Sequence, residues 1–431
     1  MAQPEESRRT VDVFGINRDL PLNYTVRITV DETLIENLTR DKHVVIYGSS
    51  KQGKTSLRKQ CLNDNDYIVI HCFNRWAISD LNSAILKKAG YEVTQSHTKT
   101  VSGKNKIFAT IKAAFFGNEA SGGVESENQK TDTVVKAPLE IDPEDVNDVI
   151  SALKHLNKYI VLEDFHYLSV ETQKDFAVSL KAFHEQSSLC FIIVGVWLEE
   201  NRLTVYNGDL TGRVVSVNAD KWSREELEEV ISTGEALLNI QFSESFKEVL
   251  LNECFGSVYI VQEGCYQCCI QEKIHSTQSN FRVIGNNVDA RDVVKSVTEQ
   301  QTGRYNSFIT QFASGFQDTT LQMYRWLLYP VLTAQTSHLE RGLRLNEISK
   351  ILAAKHPGGK NLNPGNLTQA LQSVASLQVK KDIKPIILDY DQTNLRLNVV
   401  DRGFLIWLEN RDRGELLELA ELPLDGPSVE A

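Results

Sequence analysis

The sequence predicts an α/β protein built on a parallel five-stranded sheet with helices on both faces, followed by a helical region and a C-terminal helix-and-hairpin unit. Three observations carry this expectation. Five short apolar runs alternate with stretches of helical periodicity in the first half of the chain, a glycine-rich loop joins the first run to a helix, and the third run ends in two carboxylates. Strands alternating with helices need crossover connections, which produce a parallel sheet covered on both sides.

The five strand-like runs are His43–Gly48, Tyr67–Cys72, Tyr159–Glu163, Leu189–Gly195 and Arg213–Val217. Between them, Lys54–Leu62, Ser79–Ala89, Pro143–Leu156 and Val170–Gln186 carry the 3.6-residue repeat of half-buried helices. Residues from about 97 to 140 interrupt the alternation. Lys104–Phe116 has Ile107, Ile111 and Phe115 at helical spacing, and Gly117–Lys136 is rich in Gly, Ser, Asn, Glu and Thr, as a flexible loop is. Such a helix is expected either to contact a partner, a second copy or a membrane, or to fold back on its own domain.

The loop after the first strand reads Gly48-Ser49-Ser50-Lys51-Gln52-Gly53-Lys54-Thr55 and then Ser56. It fits G-x-x-x-x-G-K-[ST] in the strand–loop–helix setting that the motif requires. The two glycines let the backbone curl into a nest of inward N–H groups, and the helix starting near Lys54 adds its positive dipole end. Lys54 is expected to reach the β- and γ-phosphates of ATP, and the Thr55 hydroxyl to ligate Mg²⁺. Gly48, Ser49, Ser50, Lys51, Gln52, Gly53, Lys54, Thr55 and Ser56 form the expected nucleotide-binding set. The strand Tyr159–Glu163 followed by Asp164 supplies the acids, Glu163 toward the metal with Thr55 and Asp164 toward the attacking water.

Strand, P-loop, helix, a second strand, an acidic third strand, then a fourth and a fifth resemble the additional-strand P-loop ATPases, among them AAA+ proteins and signal-transducing STAND NTPases. The resemblance implies ATP hydrolysis. The usual acid order in that family is Asp then Glu; Glu163-Asp164 inverts it, and a shift of about an ångström in such geometry costs roughly 100-fold in rate, so slow turnover is expected. The family's fourth strand ends in a polar sensor, for which Asn201 and Arg202 are candidates. Asp209-Leu210-Thr211-Gly212-Arg213 leading into the fifth strand is similar to the passage whose Arg touches a neighbouring subunit's nucleotide, which gives Arg213 that expected role in a nucleotide-dependent homo-oligomer. After Gly256 the chain has Ser257, Val258, Tyr259 and Ile260 where many AAA+ members carry a second-sensor Arg. That lack favours a switch over a motor.

Beyond the core, Arg224–Leu238, Ser243–Cys254 and Val258–Ile270 read as a helical lid, and Cys265, Cys268 and Cys269 share one helical face with no matching pair of metal ligands. Packed thiols are expected there. Thr320–Ala334, Leu345–Lys355 and Asn363–Leu377 read as helices, and Lys384–Asp389 with Leu395–Val400 as a hairpin. Three helices and a hairpin resemble a winged helix, which follows the ATPase module in origin-recognition-type AAA+ proteins and in STAND proteins. The expected division is 1–220 for the ATPase core, 221–290 for the lid, 291–318 for a linker helix, 319–410 for the winged helix and 411–431 for an acidic tail.

Composition narrows the function classes. The 431 residues are 41% hydrophobic and 24% charged with a net charge of −11, which excludes a wholly disordered chain and one that coats nucleic acid indiscriminately. Charge is uneven, because Thr336–Pro385 holds eight Lys/Arg against Glu340, Glu347 and Asp382. Seven cysteines, no apolar stretch near the N-terminus and no run long enough to span a bilayer point to a reducing cytoplasm. The expected function is a slowly hydrolysing ATP switch of the AAA+/STAND type, serving bacterial signalling or anti-phage defence with a partner protein. The alternative is a DNA-binding initiator or loader, in which Asn366, Gln369, Gln372 and Ser373 face DNA and Lys380, Lys381 and Lys384 hold phosphates.

Overall fold

His43–Gly48 forms β1, buried along its whole length. It is followed by β2 (Tyr67–His71), β3 (Tyr91–Val101), β4 (Lys104–Ile111), β5 (Leu139–Ile141), β6 (Tyr159–Glu163), β7 (Phe191–Val196) and β8 (Val214–Asn218). The computed structural model describes residues 7–16, 19–101, 104–111, 139–220, 222–317 and 319–424. Five of these strands make one parallel sheet in the order β2-β6-β7-β1-β8. Strand β7 therefore separates the glycine-loop strand β1 from the acidic strand β6, as the additional-strand arrangement requires. Helices Ile28–Leu38 and Lys54–Cys61 pack through Val30, Leu34 and Leu57 on one face. Helices Ile78–Lys88, Val146–Leu153 and Val170–Gln186 cover the other through Leu81, Ile85, Val149, Phe176, Leu180 and Phe183. A parallel sheet buried on both sides explains why its strands read as unbroken apolar runs.

The helix expected over Lys104–Phe116 is not formed. Lys104–Ile111 is the strand β4, antiparallel to β3 and flanked by β5. The reason is one of period: residues four apart share a face in a strand as well as in a helix, so Ile107 and Ile111 do not tell the two apart. The β-branched and aromatic content of Ile107-Phe108-Ala109-Thr110-Ile111 suits a strand better. Residues 112–116 and the expected loop 117–136 lie outside the described residues.

The lid region is helical as expected, with Arg224–Leu238, Glu244–Glu253, Val258–Gln271 and Ala290–Glu299 around a two-stranded parallel sheet, β9 (Ile240–Phe242) and β10 (Arg282–Ile284). Ser223 and Glu226 close a reciprocal cap at its first helix. Cys254, Cys265, Cys268 and Cys269 are buried among Leu250, Val261 and Phe246. Burial pushes the Cys268 thiol up to about 12, which leaves it an inert packing group. The N-terminal residues join this region: Phe14 meets the Phe242 ring edge-on at 5.8 Å, and Thr10 bonds the carbonyls of Ile274 and His275.

Beyond the lid, the expected linker helix 291–318 is two helices, Ala290–Glu299 and Thr302–Ala313. Helices Met323–Thr333 and Leu345–Lys355 lie close to the expected spans. Asn363–Leu377 is broken at Ser373 into Pro364–Gln372 and Val374–Lys380, with the Asn363 side chain capping the first through the Gly365 N–H. Past the break, the buried Gln378 amide bonds the main chain of Val374, Ile387 and Leu388 and ties the second helix to the sheet. That sheet is β11 (Leu343–Arg344), β12 (Leu388–Asp391) and β13 (Arg396–Val399), antiparallel in the order β11-β13-β12. The acidic tail is structured over its first half: Arg413–Leu419 is a helix that Asp412 caps and Leu416 and Leu417 anchor. Two buried leucines outweigh the solvation of the surrounding carboxylates. Among the described residues no helix is long and apolar enough to cross a membrane.

Candidate functional site

Strand β1 ends at Gly48 in a backbone conformation (φ +148°) that side-chain-bearing residues rarely adopt, and a Cβ there would lie 2.8 Å from the Asp220 nitrogen. Gly53 at φ +80° then turns the chain into the helix Lys54–Cys61. The first-turn N–H groups of Lys54, Thr55 and Ser56 have no intrahelical acceptor, so they form the open end of the nest. Lys54 is buried, with Nζ donating to the carbonyls of Gly48 (3.0 Å) and Ser49 (2.6 Å). Burial lowers its ammonium to about 8, against the raising influence of Asp220 and Glu163. The loop thus holds its cation ready for an anion.

Other parts of the chain grip the loop from two sides. The Ser49 N–H donates to Asp220 Oδ1 at 2.8 Å, and Asp220 pairs with Arg402 at 2.7 Å. Burial raises the Asp220 carboxyl, but Arg402 and the Ser49 amide outweigh that and hold it below the ordinary carboxylate range. The Ser50 N–H donates to the Val400 carbonyl at 2.8 Å. On the lid side, Gln52 Oε1 accepts from the Val258 N–H (3.3 Å), Trp222 Nε1 donates to the Gln52 carbonyl (3.3 Å), and the Lys51 ammonium sits 3.8 Å over the Tyr259 ring.

The acids come from the end of β6. Glu163 Oε1 accepts from Arg58 Nε at 3.0 Å, and both side chains are under a tenth exposed (8% and 5%). Burial raises the Glu163 carboxyl, and Arg58 offsets only part of the rise. Asp164 follows in the left-handed region (φ 60°), half-exposed, with Oδ2 3.7 Å from His71 Nδ1. One cavity of about 570 Å³ brings Lys51–Ser56 together with Glu163 and Asp164. The Thr55 hydroxyl and the remaining Glu163 oxygen are hard oxygen donors in the same cavity, a set that suits Mg²⁺.

The structure leaves three candidates outside that cavity. Arg213 sits at the start of β8, where its main chain pairs with His43 at the opposite end of β1 from the loop, and its guanidinium meets Glu185 at 2.7 Å. Arg202 is buried against Asp389 (2.5 Å) and Glu199 (3.4 Å), where it joins the core to the C-terminal sheet. Asn201 stands ahead of the short helix Arg202–Tyr206. Lys380 and Lys384 are exposed, with their ammonium groups over the Phe316 and Tyr167 rings, and Lys381 donates to the Ser314 hydroxyl. The far end of the cavity was not legible in the sequence. Pro21, Tyr24 and Thr25 from the N-terminal segment meet Trp222, Val230 and Val258 from the lid there. No spacing rule marks them, because each lies some 200 residues from its partners.

No protein-family model matches the chain, and no curated protein does. Solved structures do. A Walker-type ATPase of Pyrococcus abyssi is similar over 92% of this chain and 99% of its own, at 14% identity and a TM-score of 0.50. The ORC2 protein of Aeropyrum pernix, solved with ADPNP and ADP, covers 95% of this chain and 96% of its own at 12% identity and a TM-score of 0.47. The ORC1 protein of the same organism, solved in complex with DNA, covers 96% and 98% at 11% identity and a TM-score of 0.45. At 14% identity the likeness to the Pyrococcus abyssi ATPase is one of fold. Together with the sheet order and the glycine loop, it gives this chain a P-loop NTPase fold.

Proposed function

We propose that this chain is an ATP-binding, slowly hydrolysing switch whose C-terminal helix-and-sheet unit responds to nucleotide state. The observation that carries the reading is the single cavity in which Lys51–Ser56 meet Glu163 and Asp164. The open amides of the helix start and Lys54 hold the β- and γ-phosphates, Thr55 and Glu163 hold Mg²⁺, and Asp164 orients water. Bound Mg²⁺ supplies charge neutralisation at the phosphates. The inverted acid order and the Arg58–Glu163 pair both favour low turnover. The switch reading rests on Val400 and Arg402, which touch the loop's own hydrogen-bonding shell from the C-terminal unit. Seven free thiols favour a cytoplasmic setting.

Of the two outputs weighed, signalling and DNA handling, the second has a built feature in this chain. A groove of about 640 Å³ runs between the starts of helices Leu345–Lys355 and Pro364–Gln372 and the β12–β13 turn, lined by Arg344, Asn346, Ser349, Thr368, Asn394 and Arg396. Two helix starts, a hairpin and two guanidiniums are what a winged helix presents to a phosphate backbone. Arg344 and Arg396 thus join Lys380, Lys381 and Lys384 as candidate phosphate contacts, with Arg396 also donating to the Arg341 and Gly342 carbonyls.

Equilibrium nucleotide binding and phosphate release test the main reading. Lys54→Ala is expected to abolish ATP affinity, and Asp164→Ala to keep binding while losing turnover; unchanged turnover in both variants sinks it. For the DNA output, duplex affinity at low salt should fall when Arg344 and Arg396 are both changed to Glu, and equal affinity without them removes that output.

A further inference from the structure

Strand β7 ends where the additional-strand fold offers a side chain to the terminal phosphate, yet this chain has none to offer there. Val194, Gly195 and Val196 line the cavity, and Gly195 cannot gain a side chain because a Cβ would fall 1.6 Å from the Trp197 ring. A polar side chain lies close by, in the single helical turn Phe165–Tyr167 that follows β6. His166, two residues after Asp164, is buried (4% exposed) and lines the same cavity. Its Nδ1 accepts the main-chain N–H of Val196 at 3.3 Å. That bond fixes the tautomer, so the proton sits on Nε2, and Nε2 is buried without a hydrogen-bond partner. Burial, with Lys54, Arg202 and Lys384 nearby, keeps the imidazole neutral by moving its pKa well below the ordinary value.

A buried donor left unmatched costs on the order of 1–3 kcal/mol, so it calls for an explanation. Being neutral with Nδ1 already used, the ring has one thing left to do, which is to donate from Nε2. The missing partner is an acceptor, and in a cavity that Lys54 also lines the acceptor best matched is an anionic oxygen.

We propose that His166 Nε2–H donates to the terminal phosphate of a bound nucleoside triphosphate, so that this histidine tells triphosphate from diphosphate. The proposal deepens the ATPase reading and rests on it. The position also gives the histidine an outlet. Its ring lies 4.1 Å from that of Tyr167, which carries the Lys384 ammonium of the C-terminal unit at 4.9 Å, and it borders a second cavity of about 420 Å³ between the core and that unit.

The test is equilibrium binding of ADP and of a non-hydrolysable ATP analogue to the full chain, for wild type, His166→Ala and His166→Gln. Alanine should weaken the triphosphate analogue by roughly 10- to 100-fold, the size of a hydrogen bond to a charged group, while ADP affinity stays within about 3-fold. Glutamine, which keeps a donor at similar reach, should restore most of the loss. Equal weakening of both nucleotides, or an unchanged ratio, overturns the proposal and leaves the ATPase reading standing. A wild-type chain that binds neither nucleotide overturns both. Should the alanine variant fail to fold, ¹⁵N-histidine NMR of wild type decides: a protected Nε2–H that appears with the triphosphate analogue and not with ADP supports the assignment, and its absence with both refutes it.

Discussion

The glycine loop is gripped from two sides, and the two seams are built from different materials. The lid seam uses no carboxylate: the Gln52 amide, the Trp222 indole, and the Lys51 ammonium over the Tyr259 ring. The C-terminal seam uses buried ion pairs: Arg202 with Asp389 and Arg402 with Asp220. Contacts of the first kind gain from packing and weak hydrogen bonds, and cutting one loses little. A buried ion pair is close to neutral as a whole, because desolvation consumes its attraction, yet losing one partner strands the other. Cutting one contact is therefore expected to cost less at the lid seam than at the C-terminal seam.

The comparison breaks most visibly at Arg202, whose guanidinium is 7% exposed beside an Asp389 side chain that is 2% exposed. Arg202→Ala should cost about 3–5 kcal/mol in denaturant unfolding, and the double change Arg202→Met with Asp389→Leu should recover most of it. If the single and double variants are equally unstable, the seam is not held by the charge pair. On the lid side, Gln52→Ala removes hydrogen bonds of 3.3–3.4 Å to Val258 and Gly256 and should cost only about 1–2 kcal/mol by the same measurement. A loss as large as that at Arg202 erases the distinction between the seams.

Acidity probes the loop between the seams. Lys54 has a folded value of about 8, below its ordinary one, so the folded state binds its proton less tightly than the unfolded state does. The cost of burying the cation is then full below pH 8 and is relieved as pH rises toward the unfolded value near 10.5, so stability gains with pH across that window. Wild type without nucleotide should gain relative to Lys54→Met between pH 8 and 10.5, and a difference that stays flat contradicts the buried-cation description. The smallest effect is expected at Arg213. Its partner Glu185 is nearly half-exposed, so Arg213→Ala should change monomer stability by at most about 1 kcal/mol. Any larger consequence for turnover would have to come with assembly, which mass measurement with and without ATP reports.

Much of the nucleotide end was legible because its parts are local. The loop from Gly48 to Ser56 is one contiguous motif, the acids end one apolar strand, and buried strands announce themselves by composition. Lys104–Ile111 misled because a spacing of four suits both periods, and the Ser373 break went unseen because the apolar spacing runs on through it. The lysines at 380, 381 and 384 read as a phosphate-binding cluster, and the sequence did not show which rings and hydroxyl they border. In the fold, Lys384 reaches Tyr167, more than 200 residues away.

The sequence by itself determined that a phosphate cradle would open a helix after a buried strand, because glycine's freedom, the helix start and the lysine sit within nine residues and act through local geometry. Only the tertiary structure decided what surrounds that loop: Val400 and Arg402 at its shoulder, Trp222 and Tyr24 at the far end of its cavity, and the buried His166 against the end of β7. Those neighbours are chosen by chain crossings and by the volume left between packed elements, which no spacing along the chain records.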